Sequence, residues 1–432
     1  MRYKIVGILI FLFVSTGCSS NINNGESATN INREVDYSNP EGTIVWSCGN
    51  IGGGGLRKEL IDRFEEKYSD VNVVLQETPA TTNGAQSYYT MTIGGQNPEP
   101  DVYCGDSNWP AQFGEAGLAL DLSTIMPESF WERFPKKLVD AASYKGGIYG
   151  APLYDNIGYL YYRKDLLKKA NIPVPETWEE LKRAASHLQE AGLVDYGFVW
   201  QGASYEGLTT NFLEYLHAAG GEVFNDQGEV HINTEETEKA LSFMKSLISS
   251  NASPQAVTTF HEDESMSTFS AGSAAFLRNW SYAYRQAQNP STSQISNKVG
   301  VTKIPSFENG KHNATRSGWN VFINPHTKNL EASLAFMDSL TSKKAQRLML
   351  VKYGILPTNV EVQSNPQLIK EYELLDIYHD VVKTPRPKTP KYNALSEAIY
   401  VNTNELLSQN KRVKDVLKEM ESRMKSVVRS ES

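Results

Sequence analysis

The chain has 432 residues, of which 40% are hydrophobic and 21% charged, and its net charge is −8. That length exceeds one ordinary hydrophobic core, so two lobes are expected, and the composition is that of a globular protein. The acidic balance gives no electrostatic footprint for nucleic acid, and after the N-terminal apolar run no stretch is long enough to predict a membrane span.

The first residues read as a secretory signal peptide over 1–17. Arg2 and Lys4 make a basic start, residues 5–14 are a short apolar run, and Ser15-Thr16-Gly17 are small. Cys18 directly after them resembles a bacterial lipobox, in which the cysteine is lipidated and becomes the first residue of the mature chain. Ser15 stands where such motifs usually carry an aliphatic residue, and ordinary cleaved secretion is the alternative. Residues 18–41, rich in Ser, Asn, Gly, Thr and Glu, are expected to be a flexible tether between anchor and body.

From residue 43 strand and helix alternate. A strand over 43–47 leads through Gly49–Gly55 into a helix over 56–68, with Leu56, Leu60, Ile61 and Phe64 on one face. A strand over 71–76, an amphipathic segment near 88–93 and a strand over 101–103 follow. This rhythm predicts a parallel sheet, with ligands beyond the carboxyl ends of its strands. The glycine run is not a nucleotide loop: no Gly-Lys-Ser/Thr ends it, and Arg57 stands where G-x-G-x-x-G needs glycine. Cys48 and Cys104 each follow a short apolar strand. If those strands are neighbours, both thiols lie at one sheet edge, as a disulfide in an exported protein or as two half-buried thiols. Asp106 and Trp109 fall just past a strand end, where a ligand sits in such sheets.

The stretch 149–167 (YGAPLYDNIGYLYYRKDLL) is predicted to be a strand crossing from one packed body into the next. Asp155 and Asn156 interrupt it, and polar groups there must be hydrogen-bonded or face a cleft; Asp-Asn is also turn chemistry. Thr177-Trp178-Glu179-Glu180 is a capping box opening a helix to Gln189. Strands are expected over 197–200, before 279 and over 299–305, and helices over 208–219 and 235–250. The cluster Arg278-Asn279-Trp280-Ser281-Tyr282 mixes polar and aromatic residues as a cleft wall does.

Residues 149–180 resemble the extracellular solute-binding proteins of sugar-importing ABC transporters. Residues 197–208 (GFVWQGASYEGL), 272–284 (GSAAFLRNWSYAY), 318–320 (GWN) and 385–398 (PRPKTPKYNALSEA) are more specifically similar to the trehalose/maltose-binding proteins, and the resemblance spans about 43–425. It implies an α/β fold of the type II periplasmic-binding kind, with discontinuous lobes joined by three crossovers near Tyr154, 299–305 and 340–346. The lobes would be 42–153 plus 302–343, and 154–301 plus 344–432, closing on ligand by hinge bending. By the same resemblance Asp106 is a hydroxyl-binding carboxylate, Tyr154 and Asn156 are contacts on the crossing strand, and Trp280 and Tyr282 are wall residues. Gly318 and Trp319 match a glycine and a stacking Trp, and Arg386 an arginine reaching into the cleft. Three charged contacts of the disaccharide binders are neutral or missing: Asn156 replaces an Asp, the Gly53–Gly55 region replaces a segment supplying a Glu, and an arginine is absent around 85–87.

The resemblance implies a monomeric lipoprotein on the outer face of the cell membrane or its periplasmic side. Its partners would be a small sugar and ABC permease subunits, with no nucleic acid, cofactor or metal. Aromatic rings suit the apolar faces of a sugar, and carboxylates, amides and arginine suit its hydroxyls. A rival reading is a carbohydrate-active enzyme, which would need two carboxylates roughly 5–10 Å apart. Asp106, Asp155 and Glu206 are candidates, but none lies in a hydrolase motif. Gly202-Ala203-Ser204-Tyr205-Glu206 is not G-x-S-x-G, and His261-Glu262 lacks the second histidine of H-E-x-x-H. A further alternative is a sugar receptor feeding a membrane sensor, for which the cleft would be the same.

Overall fold

The computed structural model describes residues 34–51, 54–308, 310–409 and 411–430. The expected signal peptide, the lipidation site Cys18, most of the tether and Gly52-Gly53 lie outside the described residues. Strands β1 (Gly42–Ser47), β2 (Val71–Gln76) and β3 (Val102–Asp106) alternate with helices Leu56–Lys67 and Thr82–Gly94. The hairpin β4 (Ser143–Tyr144) and β5 (Gly147–Ile148) leads to β6 (Ala151–Asn156) and β7 (Tyr159–Arg163). Later come β8 (Tyr196–Val199), β9 (Ala274–Asn279), β10 (Val299–Lys303), β11 (Asn313–Ile323) and β12 (Val382–Pro385).

Two sheets result. In the first the order is β12-β11-β3-β1-β2, with β6 also paired to β11; in the second it is β10-β7-β9-β8. β1 runs parallel to both β2 and β3, as the alternating pattern predicts. The register that sets Trp46 opposite Val102 brings Cys48 level with Cys104. Those two cysteines are joined by a disulfide across 56 residues of sequence.

Period-2 alternation gives the first sheet two packed faces. Val102, Cys104, Val321 and Ile323 point into one apolar cluster with Trp46, Phe64 and Phe336. Tyr103 and Phe322, between them in sequence, point into a second cluster with Tyr89, Trp109 and Phe113. The second sheet builds a larger cluster around Trp178, Trp200, Phe212, Phe276 and Leu277. The capping box is present: Glu180 N–H donates to Thr177 Oγ1 at 3.2 Å, and Thr177 N–H donates to Glu180 at 3.1 Å.

Several boundaries differ from the sequence reading. The strand over 149–167 is two strands in two sheets, broken at Ile157-Gly158. A Cβ on Gly158 would lie 2.2 Å from Glu214 Oε1 and 2.6 Å from Arg278 Nη2, so only a glycine passes this buried ion pair. The segment around 299–305 is not a crossing: β10 pairs antiparallel with β7, and Ile304 and Phe307 belong to the larger cluster. The chain changes cluster along β11, between Ala314 and Val321. It changes again at Ile355 and Leu356, beyond the helix Lys343–Tyr353, rather than at 340–346. The tether also ends earlier than expected. Val35 N–H donates to Ile125 O at 3.2 Å, and Val35 and Tyr37 pack on the first-sheet cluster.

His217, on the helix Glu206–Ala218, gives a pH test of the larger core. Burial pushes its pKa down to about 4 from 6.5, and Nδ1 has no hydrogen-bond partner among the described residues. Between those values the unfolded chain binds the extra proton, so stability is full above about pH 6.5 and falls as the pH drops towards 4. The loss is on the order of 3 kcal/mol. His217→Gln is expected to flatten denaturant-measured stability over that window, and an unchanged slope would show that another group titrates.

Candidate functional site: a cleft between the two sheets

β6 and β11 lie side by side where the sheets meet, with Trp319 opposite Tyr154, Gly318 opposite Asp155 and Ser317 opposite Asn156. Trp319 also pairs with Asp106 of β3. Gly318 has φ 137°, and a Cβ there would lie 2.3 Å from Tyr154 O, so the strands meet this closely only with glycine. Alternation divides the crossing strand. Asp155, 1% exposed, turns away from the cleft, accepting from Arg316 Nη2 at 2.5 Å and Nε at 3.0 Å and from the Tyr378 hydroxyl. Its neighbours Tyr154 and Asn156 leave the strand on the other side.

Asn156 Oδ1 accepts from Ile157 N–H at 3.1 Å and from Ser281 N–H at 3.3 Å, which ties the crossing strand to the turn after β9. That turn carries Trp280 and Tyr282. The Arg278 guanidinium lies 4.0 Å from the centre of the Trp280 ring. Arg278 is fully buried and fixed by Glu214, at 2.9 and 2.5 Å, and by Gln201 Oε1 at 3.0 Å. Trp280 Nε1–H donates to Glu262 Oε1 at 3.1 Å, and the Tyr205 hydroxyl donates to Glu262 Oε2 at 2.7 Å. Burial pushes the hydroxyl pKa of Tyr154 well up, and the charges of Asp106 and Glu262 raise it further. Tyr282 is raised by burial first, then by Glu262 and Asp263.

Arg386, which the resemblance gives as reaching into the cleft, binds Asp106 as an ion pair, with Nη2–Oδ1 2.5 Å and Nη1–Oδ2 3.0 Å. Nη1 also donates to Glu206 Oε1 at 2.8 Å. Glu206 accepts from the Tyr392 and Ser396 hydroxyls, each at 2.5 Å, and its own N–H donates to Asn83 Oδ1 at 3.0 Å. Burial raises the Glu206 pKa, Arg386 opposes that, and Asp106 adds to it. Arg386 Nε is buried with no acceptor among the described residues. Asn108 Nδ2 donates to Pro387 O at 3.1 Å and Asn393 bonds Gln86, so contacts between the two bodies continue beside the triad.

Of the residues named from sequence, Asp106, Tyr154, Asn156, Trp280, Tyr282, Gly318, Trp319 and Arg386 converge on this cleft. Trp109 does not line it. It is 2% exposed and packs in the core, stacked on Phe113 at 4.9 Å and 6.1 Å behind Trp319. The sequence singles out Glu206 only as a possible enzyme acid, Glu262 only as the neighbour of His261, and Arg278 only within a wall cluster. Both glutamates open a helix, Glu206–Ala218 and Glu262–Ser270. A carboxylate at the first helical position beside a β8 or β9 end is the sequence signal that marks them.

The profile of the bacterial extracellular solute-binding proteins matches residues 50–347. The chain belongs to this family. It is a solute-binding protein of the type II periplasmic-binding fold, and not an enzyme. A probable ABC transporter-binding protein of Deinococcus radiodurans is 30% identical over 395 residues, covering 88% of this chain and 93% of the relative. Maltose-bound MalE3 of T. maritima superposes with a TM-score of 0.82 at 32% identity, covering 89% of this chain and 99% of that one. The acarbose-binding GacH receptor of Streptomyces glaucescens shares the fold, with a TM-score of 0.81 at 23% identity over 90% of this chain and 99% of that one.

Arg386→Met is expected to leave Asp106 and Glu206 facing each other uncompensated. The cost is about 3–5 kcal/mol in the form described here. Small-angle scattering is expected to show the variant opening between its two bodies, and an unchanged profile would mean that the triad does not hold them together.

Proposed function

We propose that this solute-binding protein captures a neutral disaccharide or small oligosaccharide, of the maltose or trehalose kind, and delivers it to the permease subunits of an ABC importer. The observation that carries this is four partly exposed aromatic side chains, Tyr154, Trp280, Tyr282 and Trp319, on the crossing strand, its partner strand and the turn that Asn156 ties to them. Rings of this kind cover the C–H faces of sugars, while amide and guanidinium groups bond the hydroxyls. The maltose in a 32%-identical structure supports this reading. A mannitol-binding protein of Pseudomonas aeruginosa, 25% identical over 298 residues, keeps polyols within the class.

In this reading the three chain passages between clusters form the hinge, and sugar bridging Tyr154 and Trp319 to Trp280 and Tyr282 favours closure. The protein acts as a monomer, tethered at the outer membrane face through lipid on Cys18. Calorimetric titration with maltose, trehalose, sucrose, maltotriose, mannitol and glucose is expected to show saturable binding without turnover for one or more of the neutral sugars. Trp319→Ala is expected to weaken it by about 2–3 kcal/mol, roughly a hundredfold, in a chain that stays folded by circular dichroism. No binding across the panel would overturn the sugar reading.

A further inference from the structure

Three carboxylates border the cleft, and they differ in what neutralises them. Asp106 has both oxygens on Arg386, and Oδ1 accepts Asn108 N–H as well, at 2.8 Å. Glu206 shares the same arginine and is closed off by Tyr392 and Ser396. Glu262 has only neutral donors, one on each oxygen: the Trp280 indole at 3.1 Å and the Tyr205 phenol at 2.7 Å. Among the described residues no Lys, Arg or His nitrogen comes within 4.0 Å of it. The nearest cation in the wall, Arg278, lies against the Trp280 ring and is already paired with Glu214. Unlike Asp106 and Glu206, Glu262 is partly exposed. Its two oxygens are held by two aromatic side chains, Trp280 of the wall and Tyr205, so it stands directly against the aromatics of the site.

We infer that Glu262 is a ligand-contacting residue: its carboxylate accepts hydroxyl hydrogen bonds from a neutral sugar, and its unneutralised charge keeps acidic saccharides out. Each oxygen already holds one hydrogen bond and retains acceptor capacity for a second. Bonds from hydroxyls to an ionised acceptor are roughly twice as strong as neutral ones, and more so away from bulk water. A ligand carboxylate placed on the same wall meets like charge in that medium, where screening is weak. Trp280 and Tyr205 fix the carboxylate from the protein side, so it needs little reorganisation when a hydroxyl arrives.

The inference rests on the sugar reading of the cleft, and one experiment separates the two. The purified full chain and its Glu262→Gln variant are titrated with the neutral panel and with maltose whose non-reducing hydroxymethyl is oxidised to a carboxylate. The wild type is expected to bind a neutral disaccharide at least a hundredfold more tightly than the acidic one. In Glu262→Gln the neutral sugar is expected to weaken about tenfold and the preference to shrink at least tenfold. Glutamine keeps an acceptor for Trp280 or Tyr205, and Glu262→Asp, which keeps the charge, is expected to retain the preference. If Glu262 only positions Trp280, both ligands weaken alike in Glu262→Gln and the ratio stays put, which overturns the inference alone. If the wild type binds none of the neutral panel, the sugar reading falls and this inference with it.

Discussion

Arg386 lies between one carboxylate from each apolar body, Asp106 at the end of β3 and Glu206 at the start of a helix in the larger one. Removing three charges from water is expensive, and their attraction offsets that only when the geometry is good and the remaining lone pairs are filled. Here Asn108 N–H and the Tyr392 and Ser396 hydroxyls supply the filling. Such a cluster comes out near balance against the same groups hydrated and apart. That suits a protein that must open and close: a contact between bodies with little net energy leaves the decision to the ligand. The aromatic residues beside it sit on elements that Asn156 ties together, its Oδ1 accepting from Ser281 N–H in the turn that carries Trp280 and Tyr282.

The other buried ion pairs have a different task. Asp155–Arg316 joins two adjacent strands, and Glu214–Arg278 joins a helix to the sheet it packs on. Neither spans the moving gap, so neither need break on opening. Each orients a part of the site instead. Asp155 takes its own side chain to the rear, so that its strand neighbours Tyr154 and Asn156 face forward. Arg278 lies along one face of Trp280 and leaves the indole edge to Glu262. Gly158 and Gly318 let the backbone run close beside these features, and a methyl group at either would collide with an ion pair or a strand carbonyl.

Backbone chemistry, period and turn residues were legible in the sequence. The βαβ start and the capping box at Thr177 follow from local preferences that tertiary contacts do not reverse. The resemblance of residues 149–180 and of the later segments to sugar-importer binding proteins brought most of the cleft aromatics to notice. Whether Cys48 and Cys104 pair is not set by any local sequence pattern. It depends on the register of β1 against β3.

By itself the sequence determined the fold class and the set of residue types brought to the cleft, because strand period, helix capping and glycine placement are local properties. Only the tertiary structure decided which of those side chains face the cleft and which face one another. Trp109 went to the core because the close approach of β3 and β11 leaves its ring among Phe113, Phe322 and Tyr89. Asp106 and Arg386 became partners across 280 residues of sequence, and Glu262 gained its place through Trp280 and Tyr205. The point where β11 passes between the clusters was set by its pairing with β6. Long-range charge pairing and burial depend on which strands become neighbours, and that is a property of the assembled chain.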